Sequence, residues 1–185
     1  MASRDDPYPP YPDSRRTLNV REMVDERLLL IEAKRVLDSY LFETRGAWPE
    51  YLDPRSVANE LLDDGYESES LITLMTLRPW ELHSEGQAEL ANALRELGVR
   101  QLTLREATLV LARDETRQVF AGDLSPWKLL SRLDSLYFWS NKAAPELWQL
   151  VSFWPDDPEE WGDRRKEGER MILDMAQPLL AYAPG

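Results

Sequence analysis

His83 is the only imidazole in the chain, and cysteine is absent. A Ser-His-Asp arrangement could therefore be built only on His83, which sits beside Ser84. The neighbouring residues read as a helix start, so His83 is taken as a solvated neighbour of a cap. Without thiolates, disulfides, zinc-thiolate sites and a cysteine nucleophile are excluded. Asp156, Asp157, Glu159 and Glu160 are dense enough to hold a hard cation. They lack the alternating ligand spacing and central glycine of a calcium loop, and carboxylates are expected at a helix start without any ligand. No glycine-rich loop joins a strand to a helix, so phosphate cradling has no support. Arg164, Arg165 and Lys166 are interrupted by Asp163 and Glu167, the pattern of a solvated helix face. No catalytic residue, cofactor or metal is assigned, and the chain is expected not to be an enzyme.

The remaining chemistry is that of surfaces. The 34 acidic and 22 basic side chains give a net charge of −12. That field repels nucleic acid and anionic membranes and draws basic partners from a distance. Seven tryptophans in 185 residues exceed what core filling needs, and tryptophan is enriched at interface hot spots. Trp48, Trp80 and Trp154 each adjoin a proline in an expected connection, where surface exposure is favoured. Asp63 and Asp64 lie at a helix end, against the dipole, with Glu67 just beyond. A partner-facing surface is thus expected from Asp63, Asp64, Glu67, Trp80, Trp154, Asp156, Asp157, Glu159 and Glu160.

The elements that must position these residues are helices. Residues 1–18 hold four prolines and few aliphatic side chains, which predicts a flexible, proline-rich arm; residues 19–185 are expected to form one α-helical domain. Asn19 and Glu22 read as a capping pair opening a helix of about 25 residues, with Val24, Leu28, Ile31, Leu37 and Leu41 at helical spacing and Arg27, Lys34, Arg35 and Asp38 on other faces. It stops at Gly46. Asp53-Pro54 opens a second helix, ending at Gly65. Ser68 caps a third, with Leu71, Leu74 and Met75 inward; LITLMTL also alternates with threonine, so a strand stays open there. Pro79 and Trp80 close that segment, and Ser84 with Gln87 reads as the capping box of the next helix, which stops at Gly98. Thr103 with Glu106 repeats the device for a helix running to Gly122. Ser125-Pro126 then opens the most apolar stretch, with Leu129, Leu130, Leu133, Leu136 and Tyr137 in one stripe. A helix follows from Pro145, and a last one from Asp157-Pro158 until Pro178 kinks or ends it. The five tryptophans from Trp127 to Trp161 are expected to form one aromatic cluster in and around the core. The sum is an all-α, single-domain bundle of about seven or eight helices.

Four fragments carry a resemblance: ANELLDDGYESESLITL (Ala58 to Leu74), ALRELGV (Ala93 to Val99), LARDETRQVFAGDLSP (Leu111 to Pro126) and WPDDPEEW (Trp154 to Trp161). They resemble a family of small all-helical bacterial proteins, some classed with the immunity proteins of toxin systems. The resemblance implies a fold rather than an activity and carries no functional residues over. The expected function is a non-enzymatic, acidic protein-binding module, immunity- or inhibitor-like, covering a basic partner protein. The alternatives are an enzyme or accessory subunit with a carboxylate-lined pocket, or a nucleic-acid-mimicking inhibitor. Direct nucleic-acid binding is not expected. No apolar run reaches the ~20 residues that span a bilayer, and the N-terminus does not read as a cleaved signal. A cytoplasmic protein is expected.

Overall fold

The computed structural model describes residues 20–46, 52–152 and 164–185. The expected arm, the Asn19–Glu22 cap, Trp48, and Trp154, Asp156, Asp157, Glu159, Glu160 and Trp161 involve residues outside that set. The described residues form eight α-helices and two 3-10 turns, without a strand. Helix α1, Val20–Arg45, is a spine of 26 residues, about 39 Å at 1.5 Å per residue. It feeds two apolar clusters. Leu28 and Ile31 enter one, with side chains from α2 (Pro54–Asp63), α3 (Glu69–Thr76) and α4 (Pro79–Glu96). Ala33, Leu37 and Leu41 enter the other, with α5 (Leu104–Ala121), α6 (Pro126–Trp139), α7 (Trp148–Val151) and α8 (Arg165–Ala176).

The helix ends follow local capping chemistry. Asp53 accepts the amides of Arg55 and Ser56 at 3.2 and 3.3 Å, and Pro54 supplies the first helical φ of α2. The Ser68 hydroxyl accepts the Leu71 amide at 3.1 Å, so LITLMTL is helical. Thr103 and Glu106 cap α5 reciprocally: the Glu106 amide donates to the Thr103 hydroxyl at 3.3 Å, and the Thr103 amide to the Glu106 carboxylate at 2.9 Å. Gly122, at φ 88°, ends α5 in the left-handed region that favours glycine. The Ser125 hydroxyl then accepts the Lys128 amide at 3.3 Å, and α6 begins. Leu129, Leu130 and Leu133 of α6 are fully buried. At 0% exposure for Gly86's neighbour Leu90, α4 also packs tightly; a Cβ on Gly86 would stand 3.3 Å from Pro54 Cγ, so the glycine admits α2.

Several expectations are corrected. Helix α4 opens at Pro79, because the Arg78 amide donates to Glu81 at 2.7 Å and proline suits the first turn. Ser84 and Gln87 therefore lie inside the helix: Ser84 bonds back to the Trp80 and Glu81 carbonyls, and Gln87 reaches the Leu52 carbonyl. Met75 points outward, since Ser70, Leu71 and Leu74 already occupy the buried side of the eight-residue α3. Arg35 and Asp38 are buried, with Glu32 beside them. The tryptophans do not share one environment: Trp127 is buried and Trp139 half-buried, while Trp148 is exposed against the Tyr137 ring. Pro145 opens a 3-10 turn, Pro145–Leu147, before the single turn of α7. The last α-helix begins at Arg165 among the described residues, and it ends at Ala176, where Pro178 enters a 3-10 turn, Gln177–Ala181.

The Arg100 guanidinium, 2.6 Å away, is the main cause that pulls the Glu106 carboxyl from its ordinary 4.5 to about 2. The Thr103 amide adds to it. A folded-state value below the unfolded one gives stability that is present above pH 4.5 and lost as pH falls toward 2. Replacing Glu106 with Gln is expected to flatten the stability curve across that window. Urea melts of both proteins between pH 5 and pH 2 check it, and parallel curves would remove Glu106 as the titrating group.

Candidate functional site

Helix α3 buries only Ser70, Leu71 and Leu74, so its other face must meet solvent or a partner. Ile72 is 58% exposed and Met75 37%. Three residues apart, they stack on one side of the helix. The chain then turns at Leu77 and Arg78 into α4, whose second residue is Trp80, 63% exposed. The Arg78 guanidinium lies 5.1 Å from the Trp80 ring centroid, a cation–π contact that orients the indole. Ser70 anchors the other end of α3: its hydroxyl and amide donate to the Glu96 carboxylate of α4 at 2.7 and 3.2 Å. Those bonds, the hydroxyl's foremost, hold the Glu96 carboxyl below its usual range. From the α2 side, the Arg55 guanidinium donates to the Leu77 carbonyl. The apolar face is thus carried on a fixed frame.

Of the residues expected to make a partner surface, Asp63, Asp64 and Glu67 lie exposed before α3 and Trp80 exposed after it. They flank the same short helix from opposite ends. Asp64 is not a bare charge: it pairs with Arg27 of α1, which also holds Glu60 at 3.2 Å. Asp63 accepts the Asn59 amide at 3.2 Å. Glu67, and Glu69 in the first turn of α3, stay exposed, so the rim is acidic at the end of the face away from Arg78. Trp154, Asp156, Asp157, Glu159 and Glu160 lie outside the described residues. The sequence reading placed Met75 inward and did not single out Ile72, because the apolar side chains of LITLMTL surround the helix; only the burial of Leu71 and Leu74 leaves the two outside.

No protein-family model, curated protein or solved structure matches the chain. The site must be read from its own chemistry.

Apart from the apolar face, a concavity of about 420 Å³ opens between α1, α5 and α6. Leu37, Leu111, Leu136 and Trp139 supply apolar wall, and Asp38, Asp114, Glu115, Lys34 and Arg132 bring both signs of charge. Asp38 is 4% exposed and accepts the Leu52 amide at 2.9 Å. Arg132 of α6 donates to Glu115 of α5 at 2.6 Å. Among the described residues, no group of three or more His, Cys, Asp or Glu side chains is placed to hold a metal ion. Two of the basic side chains after residue 163 are paired locally: Arg164 with Glu167 at 3.0 Å and Arg165 with Glu169 at 3.4 Å. No described helix is long and apolar enough to cross a membrane.

Proposed function

We propose that the chain is a non-enzymatic protein-binding module, immunity- or inhibitor-like, that docks through the α3–Trp80 face onto a basic cytoplasmic partner. The observation that carries this reading is the exposure of Trp80 beside Ile72 and Met75. Three large apolar side chains on one frame lose water on docking, and indoles are over-represented among residues that dominate binding. The acidic rim and the net charge of −12 supply the steering: a basic surface is attracted before contact, and the apolar face then holds it.

The test is retention of a partner from the native host by the full chain and by Trp80→Ala. The wild type is expected to hold one stoichiometric basic protein, less of it as salt rises. Trp80→Ala should weaken that complex by about thirtyfold or more, corresponding to roughly 2 kcal/mol at a hot spot. Its melting temperature should be unchanged, because the removed side chain is mostly in solvent. A partner held equally by both proteins would move the interface elsewhere, and the absence of any retained partner would end the reading.

A further inference from the structure

The cleft between α1, α5 and α6 shares no helix with the α3–Trp80 face, and its lining selects a different kind of ligand. Its volume of about 420 Å³ falls within the range of small-molecule sites, roughly 300–1,000 Å³. We infer that this cleft binds a small amphipathic zwitterion of the apolar amino-acid class.

Charges of both signs stand around an apolar floor. On the α1 wall the exposed Lys34 ammonium has no hydrogen bond or ion pair among the described residues. On the α6 wall Arg132 uses Nη1 for both Glu115, at 2.6 Å, and Gln118, at 3.4 Å. Its Nε and Nη2 make no such bond among the described residues, so the open side of the guanidinium is available to a carboxylate. On the α5 wall Asp114 uses Oδ2 to accept the Gln118 amide at 3.1 Å, which leaves Oδ1 to accept from an ammonium.

A simple carboxylate would bind facing the open Oδ1 of Asp114. A simple amine would bind facing the Lys34 ammonium, since the Arg132 charge is offset by Glu115. Either adds a like-charge contact across the cleft that a ligand carrying both signs avoids. A zwitterion meets both signs, and being neutral it does not work against the field of a chain carrying −12. Leu37, Leu111, Leu136 and Trp139 then cover its apolar side chain.

Calorimetric titration of the full chain with L-phenylalanine, L-leucine, hydrocinnamate and phenethylamine tests the inference. Hydrocinnamate lacks the amine of phenylalanine, and phenethylamine lacks its carboxylate. At least one amino acid is expected to bind and to raise the melting temperature with concentration, while neither single-charge analogue does. Lys34→Ala and Asp114→Asn should each weaken that binding about tenfold or more, the value of a lost charge-assisted hydrogen bond. Lys34 is exposed, so its variant keeps the fold. The inference is overturned if an analogue with one charge binds as well as the amino acid. It is equally overturned if none of the four binds, or if both variants bind unchanged.

Discussion

Glu32→Ala is expected to destabilise the protein by about 3–5 kcal/mol, the cost of breaking a buried ion pair from one side. Glu32 is 2% exposed and Arg35, one turn on along α1, is 8% exposed. The pair is bidentate: Arg35 Nε donates at 2.7 Å and Nη2 at 2.9 Å. The same carboxylate accepts the Leu102 amide at 3.3 Å, across 70 residues of sequence, and so ties the α4–α5 connection to the spine. Alanine leaves the guanidinium buried without its counter-charge and the Leu102 N–H without an acceptor. For a chain of this length each kcal/mol moves Tm by about 2–4 °C, so a fall of roughly 6–20 °C is expected. The double change Glu32→Leu with Arg35→Leu should recover most of it, because two apolar side chains carry no uncompensated charge. Urea unfolding of the three proteins checks this. A loss below about 1 kcal/mol in the single variant would mean that the pair behaves as a solvated one.

Leu133→Ala is expected to cost about 2–5 kcal/mol, the range for removing a fully buried leucine and leaving a cavity. Leu133 is 0% exposed in the cluster that joins α5, α6 and α8 to α1. Leu61→Ala, equally buried in the other cluster, is expected to lower the same transition rather than a separate one. The physical reason is α1: its side chains enter both clusters, so neither can lose its packing without exposing part of the spine. Tryptophan fluorescence and far-ultraviolet circular dichroism should therefore report coincident curves for both variants, the mark of two-state unfolding. Separate midpoints would show the two clusters melting independently.

Element ends were the most legible part of the chain. Asp53, Ser68, Thr103 and Gly122 act on backbone groups two to four residues away, so their chemistry is complete within a short window of sequence. The same grammar misled at Ser84 and Gln87, where the spacing of a capping box fell inside a helix already begun by Pro79. Trp80 was legible as an exposed aromatic, although it stands in the first turn of α4 rather than in a connection. Asp64 shows the opposite case. Its neutralising partner, Arg27, lies 37 residues earlier, and no local pattern announces it.

The all-α class, most helix ends, the apolar stripe of α6 and the sign of the net charge are all readable without a fold. Those properties depend on local hydrogen bonding, apolar period and composition. Helix packing alone buries Glu32, Arg35 and Asp38, turns Ile72 and Met75 outward, and brings Lys34, Asp114 and Arg132 to one cleft. A helix shows its neighbours in sequence which residues share a face. Which face is covered, and by which distant charge, is settled only when helices pack on both sides of the same spine.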